Sequence, residues 1–168
     1  MDIAALIHAE LTKCRVTLAA SLPDDWVAPL IRRVDADPAI THVRVARESE
    51  TVGICTGAFL AGTNSVAIMG TTGLHCTVGE MMAINLRHGI PLFIISSLRG
   101  TPEDYQIYQE QQGRRTFPML NAYDIPYVIL EKPDDIARIP DVYNHCRLQK
   151  RPYLLFLSRR LLKAGQVQ

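Results

Sequence analysis

Apolar positions along this chain follow two alternating rhythms. Short runs of β-type residues are separated by longer segments of helical period. Residues 2–13 place Ile3, Leu6, Ile7 and Leu11 on one face of a helix. Residues 15–21 read as a first strand. Pro23 and the Asp24-Asp25 pair then open a helix that runs to about Val34, with carboxylates at its positive end. Residues 41–46 predict a second strand and 48–62 a helix. Residues 65–69 form a buried-looking strand, and a small-residue loop is expected over 70–76. The helix after it, from about Thr77 to His88, sets Val78, Met82 and Leu86 at i, i+4 and i+8. Gly89 and Pro91 stop it. Residues 91–96 carry Leu-Phe-Ile-Ile, a buried strand. Residues 102–121 are polar and then helical. A strand over 127–130, a helix over 134–149 interrupted by Pro140, a strand over 153–157 and a short basic helix complete the pattern.

Six strands alternating with helices predict an α/β fold: a parallel sheet of about six strands between two helical layers, doubly wound through right-handed crossovers. Ligands of such sheets bind outside the carboxyl ends of the strands. That singles out the loops at 21–25, 46–49, 70–76 and 97–104.

Composition narrows the class. A chain of 168 residues with 48% apolar and 21% charged residues suits one ordinary globular domain. A formal net charge of +1 without charge runs gives no nucleic-acid surface. The cysteines at 14, 55, 76 and 146 form no Cys-x-x-Cys pair. They read as free thiols of a reducing compartment. The start, Met-Asp-Ile-Ala-Ala, lacks signal-peptide features, and no apolar run approaches 18 residues. A soluble, cytoplasmic protein is the expectation.

Spacing alone gives modest chemistry. The 70–76 loop holds two glycines between a strand and a helix, a shape able to cradle an anion, yet it matches neither a Walker loop nor a dinucleotide fingerprint. No Gly-x-Ser-x-Gly elbow is present, and the adjacent His75-Cys76 pair is poorly disposed for a nucleophile and its base. Glu48 and Glu50 each read as first-turn helix acids. Gly53 and Gly57, four apart on the same helix, suggest a close backbone approach or tight helix–sheet packing.

The stretch from Arg47 through Glu48-Ser49-Glu50-Thr51-Val52-Gly53-Ile54-Cys55-Thr56-Gly57 to Gly62 resembles the pyrimidine-binding domain of thiamine-diphosphate enzymes, above all the sulfopyruvate and phosphonopyruvate decarboxylases. Met69-Gly70-Thr71-Thr72-Gly73-Leu74 is similar to their Asn-Ser-Gly-Leu loop. Gly89-Ile90-Pro91-Leu92, Arg99-Gly100, Ser21-Leu22-Pro23 and, more weakly, Gln112-Gly113-Arg114 with Thr116 extend the match. The resemblance implies a three-layer α/β/α thiamine-diphosphate-binding fold, with residues 1–168 forming a single pyrimidine-binding domain. The chain lacks the Gly-Asp-Gly segment of a diphosphate-binding domain. A β subunit on a separate chain is therefore implied, in a hetero-oligomer, holding most of the contacts to Mg2+.

The implied function is that of the α subunit of a 2-oxo acid decarboxylase, a lyase active only with its partner on a small 2-oxo acid. Carboligation with the same cofactor, or a non-catalytic regulatory subunit, are the alternatives. The resemblance makes Glu48 the catalytic glutamate that activates the cofactor aminopyrimidine. It places Thr71, Thr72, Gly73 and Leu74 at the cofactor and Ser21, Asp24 and Arg99 at the substrate. His75 is a second catalytic candidate. Thr71, Thr72, His75 and Cys76 depart from the residues common in the family, and Gln109 stands where relatives carry His. The identity of the 2-oxo acid is left open.

Overall fold

The computed structural model describes residues 1–164. Six strands form one parallel sheet: β1 (Leu18–Ser21), β2 (Thr41–Arg44), β3 (Ser65–Met69), β4 (Leu92–Ser97), β5 (Tyr127–Leu130) and β6 (Pro152–Leu157). Their order is β2-β1-β3-β4-β6-β5. The central strands β3, β4 and β6 read Ser-Val-Ala-Ile-Met, Leu-Phe-Ile-Ile-Ser-Ser and Pro-Tyr-Leu-Leu-Phe-Leu, near-continuous apolar runs. Such runs are required of strands covered on both faces.

Two cores result. On one face α1 (Ile3–Lys13), α2 (Ala28–Ala36) and, later in the chain, α7 (Ile139–Gln149) and α8 (Arg159–Ala164) bury Ile7, Leu11, Val34 and Ile139 against Ala19, Ile68 and Ile95. On the other, α3 (Glu48–Leu60), α4 (Thr71–Cys76), α5 (Val78–Glu80) and α6 (Glu110–Ala122) bury Val52, Leu74, Met81 and Leu120 against Ala20, Met69, Ile94 and Phe156. The topology explains the division. The β1→β2 and β5→β6 crossovers run one way along the sheet and the others run the opposite way. With right-handed crossovers, opposite travel places helices on opposite faces. Neighbouring strands β1 and β3 therefore send their exit loops to opposite sides, which opens a crevice between them.

Four expectations change. The helix expected to open at Asp24-Asp25 begins at Ala28, with Val27 at its N-cap and no acid in its first turn. The segment 70–76 is not an open loop: α4 begins at Thr71, directly after β3, because Thr71 and Leu74 have buried positions to fill. The helix expected over 77–88 contains a π-helical stretch, Met81–Leu86. Asn85 is fully buried there and donates to Thr56 Oγ1 (3.0 Å) and to the Ile90 carbonyl (3.3 Å), tying the wide turn to α3. Pro140 does not interrupt a helix. It sits in the first turn of α7, where a missing N–H costs nothing, after a 3-10 segment, Pro133–Arg138.

No helix among the described residues is long and apolar enough to cross a membrane. All four cysteines are free. Burial pushes the Cys14 and Cys55 thiols up to about 11 and Cys146 to about 12, so these three are inert packing groups.

Candidate active site

Three loops converge at the β1/β3 crevice. Glu48 is the first residue of α3, immediately after the β2 exit. Its side chain, half-buried, lies against the Cα of Gly73 so closely that a Cβ at 73 would overlap the Glu48 Cγ and carboxylate. Gly73 is therefore glycine because the glutamate passes over it. The second acid, Asp24, packs against Gly70 in the same way: a Cβ at 70 would lie 2.8 Å from Asp24 Oδ2. The turn leaving β3 is thus flanked by two carboxylates from different loops.

The two first-turn acids of α3 behave differently. Glu50 Oε2 accepts from the backbone N–H groups of Ala46 (2.9 Å) and Arg47 (3.4 Å), which caps the helix. Glu48 contributes its carbonyl to the Thr51 hydroxyl (2.6 Å). None of the hydrogen bonds or ion pairs among the described residues takes up its carboxylate. The Glu48 carboxylate is thus partly open to solvent and free of partners within the described residues.

The remaining sequence candidates occupy distinct positions. Thr71 is fully buried; its hydroxyl donates to the Ser97 carbonyl and accepts from the Arg99 N–H (3.1 Å), so it staples β3 to β4. Leu74 is buried in the α3–α6 core. Thr72 is exposed and meets Gln109 Oε1 at 3.5 Å and the Gln112 amide at 3.2 Å. Ser21 is fully buried on the α2 side of the sheet, where its hydroxyl meets His42 Nε2 at 2.8 Å, and His42 Nδ1 meets Asp35 Oδ1 at 2.8 Å. This Ser-His-Asp chain resembles a hydrolase triad in connectivity only, since a fully buried hydroxyl offers no attack path.

Arg99 is no solvated loop residue. Its side chain is 4% exposed, and its guanidinium donates to Asp104 Oδ2 (2.9 Å) and Gln106 Oε1 (2.8 Å), approaches Asp24 Oδ2 at 3.7 Å and stacks on Trp26 at 4.1 Å. Desolvation pushes the Asp104 carboxyl up, but the Gly100 N–H and the Arg99 guanidinium outweigh it and hold the group below the usual range. Gly100 and Gly113 touch backbone to backbone, a contact that a side chain at either position would prevent. The segment from 99 to 113 is pinned at both ends.

His75 has a defined tautomer. Its Nε2 lies 2.9 Å from Thr116 Oγ1, and that hydroxyl donates its only proton to the Gln112 carbonyl at 2.6 Å. Thr116 must therefore accept, His75 Nε2 carries the proton, and Nδ1 keeps its lone pair. Desolvation lowers the His75 pKa from 6.5, which favours the neutral ring.

Sequence reasoning missed Trp26 and the pairing of Asp104 with Arg99, and it met Thr116 only at the weak end of the family match. Trp26 and Thr116 act through contacts with residues distant in the chain, whereas Asp104 bonds Arg99, Gly100 and Gln106 within its own loop. Gly53 and Gly57 are corrected as well. Both face open space, so neither close approach nor helix–sheet packing within this chain accounts for them.

Known proteins of similar sequence and shape bear on this geometry. The chain is 30% identical over 146 residues to sulfopyruvate decarboxylase subunit alpha of Methanothermobacter thermautotrophicus, covering 84% of this chain and 88% of that one. It belongs to the sulfopyruvate and phosphonopyruvate decarboxylase family. The α subunit of Methanococcus maripaludis is 27% identical over 139 residues, 83% of each chain. Phosphonopyruvate decarboxylase of Streptomyces viridochromogenes is 30% identical over 145 residues, covering 86% of this chain but 36% of that longer protein. Among solved structures, 2-oxoglutarate:ferredoxin oxidoreductase from Magnetococcus marinus superposes with a TM-score of 0.71 at 12% identity, over 96% of this chain and 29% of the other. That likeness establishes the thiamine-diphosphate-type fold. No family model matches the chain.

Proposed function

We propose that this chain is the pyrimidine-binding α subunit of a thiamine-diphosphate-dependent 2-oxo acid decarboxylase, with Glu48 as the residue that activates the aminopyrimidine. The observation that carries the reading is the unengaged Glu48 carboxylate seated over Gly73 at the mouth of the β1/β3 crevice. The residues fit the cofactor on their own terms. A cradle that excludes a Cβ at both 70 and 73 keeps the turn low, and the carboxylate stands beside it ready to face a ring nitrogen. Glu48, Thr71, Thr72, Gly73 and Leu74 would hold the aminopyrimidine, the buried members by setting the turn and Thr72 by its exposed edge.

When bound, thiamine diphosphate would supply the electron sink for the pair left on a 2-oxo acid as CO2 leaves. The chain's own work is proton management and positioning. Glu48 shares a proton with the N1′ position, which moves basicity to the 4′-amino group. His75 presents Nδ1 as an acceptor, with Thr116 fixing its ring. Asp24, at the rim beside Gly70, is assigned to the substrate side. Ser21, assigned to the substrate by the family match, is fully buried with its hydroxyl on His42, so it would act only by supporting the end of β1. Arg99 positions the turn through Thr71 and Asp24, and an anionic substrate group reaches its guanidinium only by displacing Asp104 or Gln106.

The diphosphate and Mg2+ are assigned to a β subunit, and two exposed features support a partner surface. Gly53 and Gly57 leave the outer face of α3 open for a close neighbour, with Leu60 exposed beside them. At the carboxyl edge, Tyr105 is 84% and Ile107 90% exposed. The assembly is placed in the cytoplasm. The test is to purify the chain alone and together with a subunit that carries a Gly-Asp-Gly diphosphate motif. Calorimetry with thiamine diphosphate and Mg2+, and a decarboxylase assay on sulfopyruvate and phosphonopyruvate, are then run on both. Activity and tight binding are expected only in the pair. Tight, Mg2+-dependent binding by the chain alone would sink the split-site reading.

A further inference from the structure

One concavity away from the Glu48 site combines apolar walls with a partly buried cation. At the same carboxyl edge, but on the other face of the sheet, a half-enclosed cavity of about 440 Å3 lies between the start of α1, the Trp26 turn and α8. This volume is in the range of small-molecule sites, about 300–1,000 Å3. Its walls are mainly apolar: Ile3, Ile7, Leu30, Leu157 and Leu162 line it with the face of Trp26.

One wall carries uncompensated charge. Arg159 lines the cavity and stacks on Trp26 at 4.4 Å, and its Nε–H is buried without a hydrogen-bond acceptor. Trp26 is also stacked by Arg99, so two guanidiniums share one indole. Arg99 is neutralised by Asp104 and Asp24, whereas the described residues offer Arg159 no carboxylate within ion-pair distance. Of the two acids that line the cavity, Asp2 is turned to Arg33 and to the Ala5 N–H, and Asp25 is exposed at the rim. Lys163 also lines the cavity, with its ammonium 5.6 Å from the Tyr105 ring centroid. A buried N–H donor on a cation, without an acceptor, is costly unless something supplies one.

We propose that this cavity is a second binding site, for a small carboxylate with an apolar body. The carboxylate accepts from Arg159 Nε, and the hydrocarbon part packs on Trp26, Leu30 and Ile7. An uncharged analogue of the same shape keeps the packing but leaves the Arg159 donor orphaned. A short acid such as acetate keeps the charge but leaves the walls bare. The site is independent of the thiamine-diphosphate reading. It shares only the Trp26–Arg99 contact with it.

Trp26 is the sole tryptophan, so its fluorescence reports on this wall directly. The full chain is titrated with hexanoate, hexanamide and acetate at constant ionic strength, with ligand-observed saturation-transfer NMR as a second reading should emission be silent. Hexanoate is expected to saturate, and hexanamide and acetate to bind at least about tenfold more weakly, the size of one charge-assisted hydrogen bond. Arg159→Met keeps the apolar stem and removes the donor, and it is expected to bring hexanoate down to the level of hexanamide. Ala4→Met fills the α1 end of the cavity with the charge intact, and it is expected to abolish the response even if Arg159→Met fails to fold. Equal binding of hexanoate and hexanamide, unchanged affinity in either folded variant, or no saturation by both methods would each overturn the proposal.

Discussion

Two charged groups stand at one edge of one sheet and are treated in opposite ways. Arg99 is buried and its guanidinium is shared among Asp104, Gln106, Asp24 and the Trp26 ring. Glu48 is half-buried, and its carboxylate is held by shape, over Gly73, rather than by donors. The difference teaches how to separate architecture from chemistry within a single site. A group whose bonding capacity is filled from within stabilises a loop. A group that the fold positions and leaves unfilled is available to a ligand. The Glu48–Glu50 pair repeats the lesson at closer range, because Glu50 spends its oxygen on two backbone N–H groups.

The sharpest way to break the comparison is Glu48→Gln in the assembled complex. Exchange of the cofactor C2 proton and turnover are expected to fall by the order of 10²–10⁴-fold. Stability should change by no more than about 1 kcal/mol. Glu50→Gln, which retains an acceptor for the cap, is expected to leave exchange near wild type. Exchange that is slow in Glu50→Gln and normal in Glu48→Gln would reverse the assignment.

Arg99→Met should show the opposite profile. It leaves the Asp104 carboxylate, 2% exposed, without its cation. Loss of one partner of a buried pair costs about 3–5 kcal/mol, read from the denaturant midpoint. The lowered Asp104 pKa stabilises the fold above the ordinary value of 3.8, and that contribution fades as pH falls through the folded value. The variant should therefore lose part of the parent's acid-side slope. A fully stable Arg99→Met with a raised KM alone would return Arg99 to the substrate.

Gly73→Ala tests whether shape holds Glu48. The added methyl would occupy the place of the Glu48 side chain. Displacement of the carboxylate by about 1 Å is expected to lower turnover by about 10²-fold, with circular dichroism unchanged. Wild-type rates in Gly73→Ala would show that the close approach is incidental.

The smallest effect belongs to His75. Its folded pKa lies below 6.5, so the unfolded chain takes up a proton in the window just below that pH while the native ring stays neutral. Stability is therefore lost as pH falls from 6.5 toward the folded value. His75→Gln should flatten this part of the stability–pH curve, measured by urea unfolding between pH 5 and pH 7. An unaltered slope would mean that burial does not hold the ring neutral.

Much of the fold was legible in the chain. The apolar runs at 65–69 and 92–97 give doubly covered strands, and the helix punctuated by Gly89 and Pro91 stops where expected. Glu48 and its helix were legible through the motif from Arg47 to Gly62, since both lie in one continuous segment. The start of α4 was not, because its small residues resemble a loop until the burial of Thr71 and Leu74 is known. Nor was the state of Arg99. Its sequence neighbourhood, a Gly-containing loop, describes a solvated arginine as well as a buried one.

The sequence by itself determined the alternation of strands and helices, the doubly wound sheet and the glutamate at the β2 exit. These rest on periodicity and local motifs, which act over a few residues. Only the tertiary structure decided which charges are spent and which are free. Arg99 meets Trp26 across 73 positions and His75 meets Thr116 across 41. Sheet order brings such pairs together, and no local pattern encodes the donor that a distant residue supplies.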